Sequence, residues 1–150
     1  MYDLSDPRYA RQLVLRGFGP AAQERLANGR VLIVGAGGLG SPAASYLAAA
    51  GVGTISLVDT DVVDVTNLHR QLLYTTPDVG RRKVDVARER LQAINPQVVV
   101  HTRDTRLNAV NAAGLVAEHD VGDWPAEHRR TFDTEKTPTP GVSFASTFLD

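Results

Sequence analysis

Four glycines that follow a run of apolar residues provide the first chemical pattern in this sequence. The segment VLIVGAGGLGSP (31–42) has a G-x-G-x-x-G spacing and leads into a helix-like segment of small residues. Its glycines are Gly35, Gly37, Gly38 and Gly40. A backbone without side chains can approach phosphates closely, and the start of a helix offers free N–H groups and a positive dipole end. The pattern predicts a nucleotide-phosphate site, with a turn that binds no ligand as the alternative.

A carboxylate follows the glycine loop at about the distance that dinucleotide-binding domains use. Asp59 ends a second apolar run, TISLVD (54–59), and the expected separation is roughly 20 residues. At the end of a strand, this side chain can accept hydrogen bonds from ribose hydroxyls. These two features suit a nicotinamide-dependent dehydrogenase as well as any other nucleotide-binding protein.

The polar segment DTDVVDVTNLHRQ (59–71) is not required by a dinucleotide-binding fold. Its presence therefore favours a triphosphate ligand. The planar guanidinium of Arg70 can grip phosphate oxygens at two points. Lys83, at the start of the next predicted helix, would add a point charge. An isolated basic residue is more often a solvated surface charge, but grouping around a phosphate loop favours phosphate binding. For His69, a packing or hydrogen-bonding role is as good an interpretation as a catalytic one.

Composition restricts the class of protein. The chain has 150 residues, 43% of them hydrophobic, which suffices for the core of one domain. The formal net charge is −1 without blocks of like charge, which argues against nucleic-acid and membrane surfaces. The sequence contains no cysteine, which excludes disulfides, thiolate catalysis and cysteine-ligated zinc in this chain. Since neither a signal peptide nor a bilayer-spanning run is evident, we expect a cytoplasmic protein.

The order of predicted elements indicates an α/β protein. The predicted elements are helices at 5–19 and 20–29, a strand at 31–36, a helix at 41–51, a strand at 54–59, a helix at 81–95, a strand at 97–102 and a helix at 108–119. Continuous apolar strands that alternate with helices are typical of a Rossmann-like, doubly wound, mostly parallel sheet. The strand expected next, near residue 121, is absent from the pattern, so we expect the sheet to be incomplete at its C-terminal side.

Four segments together resemble a known family. They are RYARQLVL (8–15), the glycine loop, AAAGVGTISLVDTDVVDVTNLHRQLLY (48–74) and VGRRKVDVARERLQAINP (79–96). They are similar to the bacterial activating enzymes of ubiquitin-like sulfur carriers, the MoeB, ThiF and HesA group, which is related to eukaryotic E1 enzymes. The resemblance extends from residue 8 to about 121. It implies an E1-like ATP-binding domain at 1–121, with N-terminal helices at 1–29 and a Rossmann-like part at 30–121.

The resemblance implies an adenylyltransferase that uses ATP and magnesium to adenylate the C-terminal glycine of a small β-grasp sulfur-carrier protein. Asp59 would hold the ribose, and Asn67 would contact phosphates. Arg11 would reach the ATP of the partner in a homodimer. Arg11, Arg70 and Lys83 would act in catalysis, by reducing charge repulsion and stabilising the departing pyrophosphate. The expected nucleotide contacts are Gly35, Gly37, Gly38, Gly40, Asp59, Asp61, Thr66, Asn67, Arg70 and Lys83.

The family pattern stops at about residue 121. The magnesium-binding aspartate of the family is not found, and Glu127, which falls near its position, receives no metal role. Asp61 and Asp64 could assist a metal, but loop carboxylates more often face solvent. Residues 122–150 are expected to form an irregular tail, in which Trp124 has no assigned role. Codons permitted for this tail, read one base out of phase, can encode a T-D-x-x-S-T-R motif typical of the family, so we hypothesise a frame change near residue 121. The gene's nucleotide sequence tests this hypothesis.

The sequence therefore favours an ATP-dependent adenylyltransferase of the molybdopterin or thiamin biosynthesis type, present as its N-terminal nucleotide-binding part. Two alternatives remain open: a nicotinamide-dependent oxidoreductase domain, and a non-catalytic nucleotide-binding remnant. The sequence does not determine which carrier protein is used or whether this chain is active alone.

Overall fold

The computed structural model describes residues 3–120, so the predicted tail with Trp124 and Glu127 lies outside the described residues. The helices and strands alternate after two N-terminal helices. The helices are α1 (Ala10–Leu13), α2 (Gly19–Asn28), α3 (Gly40–Ala50), α4 (Lys83–Ile94) and α5 (Ala112–Ala117). The strands are β1 (Arg30–Val34), β2 (Thr54–Val58) and β3 (Val99–Arg103). Short 3-10 turns occur at Pro7–Tyr9, Val65–Asn67 and Thr76–Asp78.

The three strands form a parallel sheet, as the sequence predicts, and their order in it is β1-β2-β3. The register pairs Val34 with Val58, and Val58 with Arg103, so all three strands end at the same edge. Ligands of open α/β sheets bind outside this carboxyl edge. The glycine loop leaves β1 there, and Asp59 follows β2 directly. The fold thus brings the two main features of the sequence pattern to one place.

One face of the sheet carries the hydrophobic core. Ile55 and Leu57 of β2 are fully buried and belong to one cluster with Ala44 and Ala48 of α3 and Leu91 of α4. The helices α3 and α4 pack against each other on this face. The alanines of α3 leave room for close packing against the strands, which explains why a helix of such small residues follows the glycine loop.

On the opposite face lies α5, which leaves Val99 and His101 of β3 exposed. Successive side chains of a strand point to opposite faces, so Ser56 points away from the Ile55 and Leu57 side. Its hydroxyl lies 2.6 Å from His119 Nε2, just after the end of α5. Helices therefore lie on both faces, and the predicted doubly wound α/β class is confirmed over the described residues.

The N-terminal helix is shorter than predicted. A single helix was expected over 5–19, but a 3-10 turn and the four residues of α1 are found instead. Gly17 and Gly19 adopt φ values of +82° and +63°, so a right-handed helix could not continue through them to residue 19. The segment is fixed by Tyr9, which is buried and accepts a hydrogen bond from the Asn95 side chain at the end of α4. In residues 3–120, no helix is long and apolar enough to cross a membrane.

Candidate nucleotide-binding site

Two of the loop glycines are required by backbone geometry. Gly35 has a φ of +89°, a conformation that side chains disfavour. At Gly40, a Cβ atom would lie 1.7 Å from the carbonyl oxygen of Gly35, which is a steric clash. These glycines therefore shape the sharp turn from β1 into α3, whether or not a ligand binds.

Two polar side chains hold the glycine loop in place through the backbone N–H and carbonyl groups of Ala36. Asp59 Oδ2 accepts a hydrogen bond from the Ala36 N–H at 2.6 Å. The hydroxyl of Tyr74 donates to the Ala36 carbonyl oxygen at 2.7 Å. Burial raises the pKa of Tyr74, with the charges of Asp59 and Asp61 acting in the same direction, so the phenol remains a donor at neutral pH. Sequence reasoning did not find this role of Tyr74.

The N–H groups of the rest of the loop are available to a ligand. Among the described residues, no hydrogen bond is found for the backbone N–H of Gly37, Gly38 or Leu39. These groups precede α3, whose N-terminal dipole end favours anions. The buried hydroxyl oxygen of Ser41, in the first turn of α3, also has no hydrogen-bond partner. The loop thus has the donors that a phosphate group requires.

Arg70 and Gln71 approach the glycine loop from the polar segment. The side chain of Arg70 is 3.9 Å from the position that a Cβ atom would take at Gly38, and Gln71 Nε2 is 3.6 Å from the corresponding position at Gly37. Arg70 is exposed, whereas Gln71 is 3% exposed and its Oε1 atom has no partner. The sequence signal for Gln71 was its place beside Arg70, but no role was predicted from it. His69 is exposed within residues 3–120, and its Nε2 lies 3.3 Å from Arg70 Nη1.

Thr66 and Asn67 support the polar segment through local hydrogen bonds. The hydroxyl of Thr66 donates to Asp64 Oδ1 at 2.6 Å, and this bond lowers the pKa of Asp64. The carbonyl oxygen of Thr66 accepts from Arg70 Nη1 at 3.3 Å. The carbonyl oxygen of Asn67 accepts from the N–H groups of Arg70 and Gln71. The nucleotide contacts predicted for the two side chains are not tested by this geometry and stay predictions.

Lys83 is connected to the loop indirectly. Its Nζ atom lies 3.0 Å from Asp61 Oδ2, and its side chain is 5% exposed. The N–H of Asp61 in turn donates to Asp59 Oδ1 at 2.7 Å. The structure therefore joins Lys83, Asp61 and Asp59 in one chain of contacts that ends at the glycine loop.

The segment that contains Arg11 lies against the end of α3 that is remote from the glycine loop. Its neighbour Gln12 donates a hydrogen bond to the carbonyl oxygen of Ala50, the last residue of α3. The loop is at the first residue of α3, and a helix of this length spans roughly 15 Å. Contact between Arg11 and the loop of the same chain is not supported by this placement.

The loop region fits a phosphate-bearing ligand by its free N–H groups, its helix terminus and the guanidinium of Arg70. A divalent cation would need a different set of ligands. Within residues 3–120, no group of three or more His, Asp or Glu side chains is placed to hold a metal ion.

Comparison with known proteins identifies the family. The sequence model of the ThiF family matches residues 9–121. The chain belongs to the ThiF family. The matched range includes the glycine loop, Asp59, Arg70 and Lys83, and it ends where the family pattern was expected to stop. The predicted resemblance is confirmed.

Relatives within the ThiF family are named as adenylyltransferases. The sulfur carrier protein adenylyltransferase of Thermus thermophilus is 52% identical over 114 residues, which are 76% of this chain and 42% of that protein. The molybdopterin-synthase adenylyltransferase of Escherichia coli is 48% identical over 124 residues, which are 81% of this chain and 50% of that protein. The chain thus spans half or less of the length of these relatives.

Solved structures show the same fold. The crystal structure of E. coli MccB with AMPCPP and selenomethionine MccA has a TM-score of 0.65 and 34% identity to this chain. The match covers 69% of this chain and 32% of MccB. The ThiF-family chain described here therefore shares its fold with a protein that was crystallised with an adenine nucleotide analogue.

Proposed function

We propose that this chain provides the ATP-binding part of an adenylyltransferase that activates the C-terminal glycine of a small ubiquitin-like sulfur-carrier protein. The observation that carries the proposal is the glycine loop with free N–H groups beside Arg70, in a chain of the ThiF family. The relatives named above as adenylyltransferases support an ATP ligand over a nicotinamide one, as does the AMPCPP in the MccB structure.

The geometry is consistent with the roles proposed for Asp59, the loop glycines, Arg70 and Lys83. Asp59 retains acceptor capacity beyond its two backbone hydrogen bonds, since each carboxylate oxygen has a second lone pair for a ribose hydroxyl. The N–H groups of Gly37 and Gly38 would bind phosphate oxygens, with Arg70 beside them. When bound, ATP supplies the electrophilic α-phosphate that the substrate carboxylate attacks. Arg70 and Lys83 would reduce the repulsion between these anions and stabilise the charge on pyrophosphate.

The position of Arg11 supports a homodimer. Because Arg11 lies near the far end of α3, its predicted contact with ATP requires the loop of a second copy. Exposed apolar side chains are consistent with an interface between copies: Val14 is 79% exposed, Tyr46 78% and Leu72 82%. The proposal therefore includes a dimer in which each Arg11 serves the partner's nucleotide.

Three further parts of the proposal rest on the family and the sequence. A magnesium ion would accompany ATP, although the magnesium-binding aspartate of the family is not found in this chain. The sulfur-carrier substrate would belong to molybdopterin or thiamin biosynthesis, in line with the names of the relatives. The cytoplasmic location stays a prediction from sequence.

Binding and catalysis are tested separately. Calorimetric titration of the full chain with ATP and with NAD should give binding of ATP alone. Arg70→Ala should weaken it, while Arg88→Ala, which removes an exposed arginine of α4, should not. Preferential binding of NAD would refute the proposed ligand. ATP–pyrophosphate exchange with a carrier protein then tests adenylation. ATP binding without exchange would favour the non-catalytic remnant, which the partial coverage of the relatives also allows.

A further inference from the structure

The carboxylate of Asp78 lies at the centre of a polar network outside the glycine loop. It is 2% exposed and accepts four hydrogen bonds. Two come from Thr75, whose N–H and hydroxyl lie 2.9 and 2.7 Å from Oδ2. The others come from Arg90 at 2.9 Å and Arg81 at 3.2 Å. A buried carboxylate with this many donors fixes the backbone around it, because breaking any of these bonds leaves a buried charge poorly paired.

The network anchors a turn that leads directly into α4. The N–H of Gly80 donates to the carbonyl oxygen of Val63 at 2.8 Å, and the N–H of Val63 donates to that of Arg81 at 2.8 Å. The N–H of Lys83 then donates to the carbonyl oxygen of Asp61 at 3.0 Å. The chain after Asp78 therefore runs antiparallel to the chain after β2, and the two are held in register.

The direction of the Lys83 side chain depends on this register. Lys83 is the first residue of α4, and the preceding residue, Arg82, makes no side-chain hydrogen bond that caps the helix. The start of α4 is instead defined by the pairing with Asp61, whose carboxylate also holds Lys83 Nζ at 3.0 Å. A shift of the turn would separate the ammonium group from Asp61, whose N–H is bonded to Asp59.

We propose that Asp78 is a positioning residue whose buried carboxylate fixes the turn so that Lys83 is held beside Asp61 at the nucleotide site. The inference deepens the proposed function and rests on it for the role of Lys83 in ATP binding. An asparagine replaces Asp78 only in part. Its amide oxygen can accept from Thr75 and Arg90 in the place of Oδ2, but its NH2 group would face Arg81, which donates to Oδ1, and the negative charge that pairs with both arginines is lost.

Chemical labelling of lysine tests the positional part without any ligand. The sequence has two lysines, Lys83 and Lys136, so amine acylation of the full chain followed by mass spectrometry gives a ratio of two rates. In Asp78→Asn, Lys83 should react several-fold faster relative to Lys136. Glu89→Gln is the matched control, since Glu89 pairs with Arg81 Nη2 but makes no hydrogen bond to Asp78 or to the backbone of the turn. An unchanged ratio in a folded Asp78→Asn protein would overturn the proposal.

A milder variant covers the case in which Asp78→Asn does not fold. Arg90→Gln removes one donor to Asp78 from a side chain that is 43% exposed, and circular dichroism monitors the fold of each variant. A smaller increase in Lys83 labelling, in the same direction, is expected. No increase in folded Arg90→Gln would count against the network as the support of Lys83.

A double-mutant cycle on ATP affinity tests the functional part. Asp78→Asn should weaken ATP binding roughly tenfold, within the range of couplings inside one hydrogen-bond network. In the Lys83→Met background the same substitution should have no further effect, because the group it positions is gone. Additive losses would show that Asp78 acts on the fold in general and would refute the proposal. A wild-type chain that binds no ATP refutes the proposed function, while the labelling ratio still decides whether Asp78 positions Lys83.

Discussion

At the scale of single residues, the glycines of the loop have different physical roles. Gly35 and Gly40 are needed for the backbone, whereas Gly37 and Gly38 leave the loop open beside Gln71 and Arg70. The spacing in the sequence places all four in one motif, and the contacts in the structure separate them. Substitutions should therefore differ in whether they lower stability or ligand binding.

Gly40→Ala should destabilise the fold. Its methyl group would lie 1.7 Å from the Gly35 carbonyl oxygen, so the turn must shift. Overpacking of this kind costs about 1–3 kcal/mol. Urea denaturation measures the loss. The control is Gly114→Ala in α5, where a methyl group meets nothing within 4 Å and should be neutral or stabilising. Equal stability of Gly40→Ala and the wild type would contradict the loop geometry.

Tyr74→Phe should weaken the loop without changing its packing volume. The substitution removes the hydrogen bond to the Ala36 carbonyl oxygen and leaves that oxygen buried. A buried acceptor without a partner costs about 1–3 kcal/mol. We expect a lower melting temperature and weaker ATP binding. The exposed Tyr46 gives the control, since Tyr46→Phe removes a hydroxyl that solvent already reaches.

At the scale of elements, the turn before α4 determines how the polar segment meets the sheet. The pairing of residues 61–63 with 80–83 holds the start of α4 against the segment that follows Asp59. Sequence periodicity predicts α4 but not this pairing, because the pairing depends on the four hydrogen bonds that the carboxylate of Asp78 accepts. Asp78 is therefore the residue through which the stability of this region should depend on pH.

The hydrogen bonds from Thr75 and Arg90 hold the pKa of Asp78 at about 2, below its ordinary value of 3.8. A carboxyl with a depressed folded-state pKa stabilises the fold above its unfolded pKa, and this contribution is lost as the pH falls from about 4 to about 2. Stability of the wild type should thus decline over this range more steeply than that of Asp78→Asn. Chemical denaturation at a series of pH values measures the difference, and parallel curves would contradict it.

At the scale of the whole molecule, the separation of Arg11 from the glycine loop is the main consequence of the fold. Gln12 fixes the N-terminal segment against the end of α3, while the loop lies at its start. A residue near the N-terminus can act at such a loop when a second copy supplies it. The oligomeric state and the site are therefore coupled in the proposal.

Complementation between two variants tests this coupling. Arg11→Ala should weaken ATP binding at the partner's loop, and Asp59→Asn should weaken it at its own. Mixed dimers contain one loop with an intact Asp59 and an intact Arg11 from the other copy, so mixing should restore part of the high-affinity binding. The measurement is ATP titration of each variant and of the mixture, with sedimentation to confirm the dimer. No recovery in a proven mixed dimer would exclude contact in trans.

The sequence by itself determined the fold class, the family and the neighbourhood of the site. Continuous apolar strands, a glycine motif and polar residues after β2 are local signals, and parallel strands bring their ends to one edge. The tertiary structure decided what depends on contacts between distant segments. It placed Tyr74 on the loop, Asp78 at the centre of the turn and Arg11 away from the loop, and it shortened the first helix. These outcomes depend on burial and hydrogen bonding between residues that are far apart in the sequence. Neither periodicity nor motif spacing encodes such contacts.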